Sequence, residues 1–108
     1  MDRIDTLLQF LDDDPADAFT HFALAQEYVK QGDLATGLGY YEALAAEQPD
    51  YVGTYYHLAK LYARLDRPDD AAQTIATGIE RATAAGDLHA RGELQALLIE
   101  LDLDDDAW

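Results

Sequence analysis

The sequence predicts an all-α chain built from paired antiparallel helices, and three observations carry that reading. Alanine and leucine supply 19 and 16 of the 108 residues while valine and isoleucine together supply six, a balance that suits helices and starves strands. Residues recur 34 positions apart: Thr20 with Thr54, Leu24 with Leu58, Ala25 with Ala59, Tyr28 with Tyr62, and Pro15 with Pro49. A period in that range marks stacked supersecondary units. Helix-ending and helix-starting residues stand between the segments, at Asp14-Pro15, Gly32-Asp33, Pro49-Asp50, Arg67-Pro68-Asp69-Asp70 and Gly86-Asp87.

Six helices follow in order, over residues 3–12, 15–31, 34–47, 51–65, 68–85 and 87–102. The first carries Leu7, Leu8, Phe10 and Leu11 ahead of Pro15 and reads as the second helix of an incomplete unit, a flanking helix over residues 1–14. The next four pair into repeats at 18–51 and 52–85. Between them Gly suits the left-handed residue after a helix, Asp caps the helix that follows, and Pro fits a first turn. The last places Leu94, Leu97, Leu98 and Leu101 on one stripe, weakened in its middle by Gly92. Residues 86–108 therefore read as a capping helix with an acidic tail, since a repeat buries its apolar face only against neighbours.

At these positions the chain resembles the tetratricopeptide repeat (TPR) family, whose unit is a 34-residue helix-turn-helix. The first-helix pattern of a large residue, Leu, a small residue and Tyr appears as His21, Leu24, Ala25, Tyr28 and as Tyr55, Leu58, Ala59, Tyr62. The second-helix pattern appears as Gly37, Tyr41, Leu44, Pro49 and as Ala71, Ile75, Gly78, Thr83, with Leu44 larger than the pattern and Thr83 in place of its Pro. The resemblance implies a right-handed α-α superhelix with flanking helices at both ends. It also implies a non-catalytic protein-interaction module whose concave groove takes an extended peptide or a helix of a partner.

At about 100° per residue, Phe19, Phe22, Gln26, Val29 and Lys30 fall opposite the stripe of His21, Leu24, Ala25 and Tyr28. The matching positions in the second repeat are Gly53, Tyr56, Lys60, Ala63 and Arg64, with His57 beside them. These faces are expected to line the peptide-binding groove through Phe19, Phe22, Gln26, Val29, Lys30, Tyr56, His57, Lys60 and Arg64, with Phe19, Phe22 and Tyr56 exposed. They hold three of the seven basic residues, both lysines included. Aromatic anchors beside isolated cations suit an acidic or C-terminal peptide carrying apolar side chains. Alternatively, the cations relieve crowding of acids and the aromatics contact the first or last helix. The chain has no Asn, and Phe22 and Tyr56 stand where a clamp for a terminal carboxylate would want a cation.

Charge and composition exclude other classes. Twenty-two acids against seven Lys and Arg give a net charge of −15, which repels phosphate backbones and anionic bilayers, so neither nucleic acid nor membrane is an expected partner. No apolar run reaches the roughly 18 residues of a membrane span, and the start lacks the features of a leader, so a cytoplasmic location is expected. The acids, mostly Asp, fit either a high-salt cytoplasm or solubility alone. Without Ser or Cys there is no serine or cysteine nucleophile, and His21, His57 and His89 are widely spaced, so no catalytic residue is assigned. The runs Asp12-Asp13-Asp14 and Asp102-Leu103-Asp104-Asp105-Asp106 lack the Gly and Glu of a calcium loop and read as solvated helix ends. No metal site and no cofactor are expected. The expected partner is a protein or peptide; the alternative is a self-assembling scaffold, a homodimer that occludes the groove, with Trp108 free to dock on the body or on another chain.

Overall fold

Aspartate side chains start most of the helices. The computed structural model describes residues 2–103, and in it Asp2, Asp17, Asp33 and Asp87 accept the backbone N–H groups of Asp5, Thr20, Thr36 and Ala90 at 2.9, 3.1, 3.2 and 3.0 Å. Each bond satisfies an N–H that the helix itself leaves free and places a negative charge at the positive end of the helix dipole. The described residues form six helices: α1 (Arg3–Asp13), α2 (Ala18–Lys30), α3 (Leu34–Glu47), α4 (Gly53–Arg64), α5 (Pro68–Ala85) and α6 (Leu88–Glu100). None of them is long and apolar enough to cross a membrane.

Two starts differ from the sequence reading by more than one residue. The second helix begins at Ala18 rather than Pro15, because Asp17 takes both the N–H and the hydroxyl of Thr20 and leaves Pro15 and Ala16 in the turn. The fourth begins at Gly53 rather than Tyr51: the Tyr51 N–H closes a turn on the Gln48 carbonyl at 3.0 Å, and Val52 stands at the N-cap without a capping side-chain bond. Between α5 and α6, Gly86 adopts φ +71°, the left-handed conformation that lets the Asp87 N–H reach the Ala82 carbonyl at 2.9 Å. Between α4 and α5 the left-handed residue is Asp66, φ 59°, a conformation that Asp tolerates better than most residues.

The helices group into two compact units that divide between Tyr51 and Val52. In the first, α2 packs against both α1 and α3. Leu7, Ala23 and Leu24 are buried together, and Ile4, Leu8, Leu11, Tyr28 and Tyr40 close around them. Tyr28 and Tyr40 stack with ring centroids 5.6 Å apart. Here α3 comes close to α2 because Gly37 lacks a side chain: a Cβ there would lie 2.5 Å from Val29 Cγ2 and 3.0 Å from the Ala25 carbonyl oxygen.

In the second unit α4, α5 and α6 pack against one another. Leu58, Ala59, Leu61 and Tyr62 of α4, Ala71, Ile75 and Ala82 of α5, and Leu94 and Leu97 of α6 are buried. Full burial of each large aliphatic side chain contributes about 2 kcal/mol. The Arg67 guanidinium lies over the Tyr62 ring, 4.6 Å from its centroid, and pairs with Asp70 at 2.8 Å. The remainder of the acidic run, Asp104 to Asp106, and Trp108 lie outside the described residues.

Candidate interaction faces of α2 and α4

Burial of Leu24 and Ala25 fixes the rotation of α2 and turns Phe19, Gln26 and Lys30 outward. Phe19 is 60% exposed. Phe22 departs from the expectation of an exposed anchor. It is half-buried, with its ring 6.0 Å from Tyr41 and 5.8 Å from Tyr51, both centroid to centroid. The chain after α3 folds back, so the Phe22 ring meets neighbours that a wheel drawn for α2 alone does not contain. Burial pushes the Tyr41 hydroxyl up to about 12, and burial with the nearby Asp17 charge raises that of Tyr51. Val29, also assigned to the outer face, is half-buried over Gly37. His21 is half-buried and donates from Nε2 to the Pro15 carbonyl at 2.7 Å, a tie between helix and turn.

On α4, the burial of Leu58, Ala59 and Tyr62 leaves Lys60 and Arg64 exposed. Tyr56 and His57 are half-buried rather than free, and their rings meet edge-on with centroids 5.4 Å apart. The Lys60 ammonium sits 5.4 Å from the centroid of Tyr56, where the negative face of the ring attracts it. The His57 imidazole is held below its usual pKa of 6.5, first by burial and then by Lys60, against the opposing charge of Glu93. Neutral His57 therefore prevails near pH 7, and the fixed positive charges of this face are Lys60 and Arg64.

Within the first unit the structure brings Phe22 together with Tyr41 and Tyr51, and leaves Phe19, Gln26 and Lys30 to solvent. Within the second it gathers Tyr56, His57 and Lys60 into one cluster. The aromatic contacts from α3 and from the turn after it were not visible in the 34-residue pattern, although Tyr40, Tyr41 and Tyr51 lie close enough in sequence to suggest them. No group of three or more His, Asp or Glu suited to a metal ion occurs among the described residues.

Comparison with known proteins agrees with this architecture. Residues 28–97 match the tetratricopeptide repeat family. The chain is 48% identical to a tetratricopeptide repeat domain protein from Salinibacter ruber solved by solution NMR. That match covers 85% of this chain and 93% of the other, with a TM-score of 0.79. A crystal structure of a tetratricopeptide repeat domain protein from the same organism is 49% identical, with 80% and 97% covered and a TM-score of 0.76. PcrH, solved in complex with the chaperone binding region of PopD, shares the fold at 17% identity, with 93% and 76% covered and a TM-score of 0.81. No curated protein matches significantly. With the family match spanning more than half of the residues and near-half identity to the Salinibacter domain, the chain belongs to the tetratricopeptide repeat family.

Proposed function

We propose that this protein is a non-catalytic interaction module that holds a peptide or a helix of a partner protein through residues of α2 and α4. Tetratricopeptide repeats mediate protein–protein interaction, and the complex of PcrH with a segment of PopD supports peptide capture on this fold. The observation that carries the reading for this chain is the cation held over a ring on α4, with α2 separately offering an exposed ring and cation of its own. Lys60 lies over Tyr56 with Arg64 one turn on, and α2 presents exposed Phe19, Gln26 and Lys30. In a chain of net charge −15, these cations and rings support capture of the acidic and apolar parts of a ligand.

The test is selection of binders from a displayed random-peptide library on the wild-type protein, followed by fluorescence anisotropy on the double variant Phe19→Ala, Lys60→Glu. Both side chains are exposed, so the fold survives the change. Affinity falls at least tenfold at unchanged helical circular dichroism; equal affinity overturns the assignment. A second reading, self-assembly as a homodimer, is favoured by the exposure of Phe10, Phe19, Leu88 and Ile99 at 54, 60, 72 and 66%. Sedimentation in molar KCl distinguishes the two, because a stable dimer supports assembly and a monomer supports the adaptor reading.

A further inference from the structure

We propose a second interaction surface in the first unit, an apolar trough between α2 and α3 that takes a basic, leucine-bearing segment of a partner protein. It is lined by His21, Thr36, Gly39, Tyr40 and Ala43, almost wholly through carbon, and has a volume of about 390 Å³. That volume falls within the usual range of ligand pockets and accommodates neighbouring apolar side chains from one helix face. A smaller hollow of about 40 Å³ shares His21 and Ala43 with it and adds exposed Glu47.

The walls are fixed before any ligand arrives. His21 is tied to the Pro15 carbonyl at 2.7 Å, and its ring lies 6.1 Å from that of Tyr40, which in turn stacks on Tyr28. A rigid receptor loses less entropy on binding.

Gly39 points to a use for the opening. A glycine inside a helix costs about 1 kcal/mol relative to alanine. Gly37 has a packing reason, its contact with Val29, whereas a Cβ on Gly39 would meet nothing within 4 Å. The absent side chain leaves the wall of the trough open at this point.

Charge selects the occupant. Up to Tyr51 the chain has eleven Asp and Glu against two cations, Arg3 and Lys30. Arg3 is paired with Glu27 at 3.4 Å, and Lys30 lies nine positions from His21, half a turn round α2 from the trough. Asp12, Asp13 and Asp14 immediately precede the Pro15 that His21 holds, and Glu47 stands at the same end, in the small hollow that Ala16 and His21 also line. A segment with leucines on one face and lysines beside them meets both the carbon lining and the surrounding carboxylates.

The probe is a synthetic helical peptide of about 15 residues, Leu on one face and Lys elsewhere, titrated by fluorescence anisotropy beside a counterpart with Glu for every Lys. Wild type binds the Lys peptide, affinity falls with added salt, and the Glu peptide does not bind. Gly39→Leu fills the trough while raising helix propensity, and weakens binding at least tenfold. Phe19→Ala, on the opposite side of α2, leaves binding unchanged, so failure here is distinct from failure of the α2 and α4 assignment. The proposal is overturned if wild type fails to bind, if Gly39→Leu binds as well as wild type, if Phe19→Ala alone weakens binding, or if wild type sediments as a dimer that Gly39→Leu dissociates.

Discussion

Gly78 of α5 lies so close to Tyr55 of α4 that a Cβ on the glycine would stand 2.6 Å from the tyrosine Cβ, and 2.9 Å from Cδ1 of Leu94 on α6. Backbone and a buried side chain set that distance, so three helices of the second unit meet at a point with no spare volume. Gly78→Ala gains helix propensity but must displace Tyr55 or Leu94, and overpacking of this kind costs about 1–3 kcal/mol. Urea unfolding should show a net loss of stability; a gain would mean that the helices separate freely.

Thr54 is fully buried, and its hydroxyl has no hydrogen-bond partner. Valine has nearly the same shape without the stranded polar group. Thr54→Val should raise stability by about 1 kcal/mol, read from the urea midpoint at unchanged m-value. A loss would show that the hydroxyl is satisfied in solution.

Acidification should act through His57. Its pKa is lowered in the folded state by burial and by Lys60 from an ordinary value of 6.5, so below pH 6.5 the unfolded chain binds the proton that the folded chain resists. The His57 contribution is therefore fully present above pH 6.5 and is lost as pH falls toward the depressed folded value. His57→Gln should flatten the dependence of the melting temperature on pH just below 6.5. An unchanged slope would place the cause elsewhere.

Self-repulsion among 22 acids and seven bases should make the fold salt-dependent. At about 1 M salt the Debye length shrinks to about 3 Å, screening most of that repulsion. The melting temperature should rise from low to molar KCl. A flat series would mean that the acidic surface serves solubility alone.

The helices and the buried stripe of Leu24, Ala25, Leu58 and Ala59 were legible because capping and helical periodicity are local. Asp33 and Asp87 announce their helices through a bond spanning three residues, whereas the cap at Asp17 was passed over for Asp14-Pro15. The surroundings of the candidate residues were less legible. Phe22 looks exposed on a wheel of α2, yet Tyr41 and Tyr51 cover it, and His57 owes its lowered pKa to burial first and then to Lys60, against the raising charge of Glu93. Such contacts depend on where a second or third helix passes, which the period of a single helix does not encode. Lys30, Lys60 and Arg64 could be read as outward-facing because long charged side chains rarely bury without a partner.

The most direct test of the interaction reading is a backbone-amide NMR titration of the protein with a peptide selected on it. The account predicts shifts concentrated at Phe19, Gln26 and Lys30 of α2 and at Tyr56, Lys60 and Arg64 of α4. Shifts confined to α1, α5 and α6, with those amides unmoved, would contradict it.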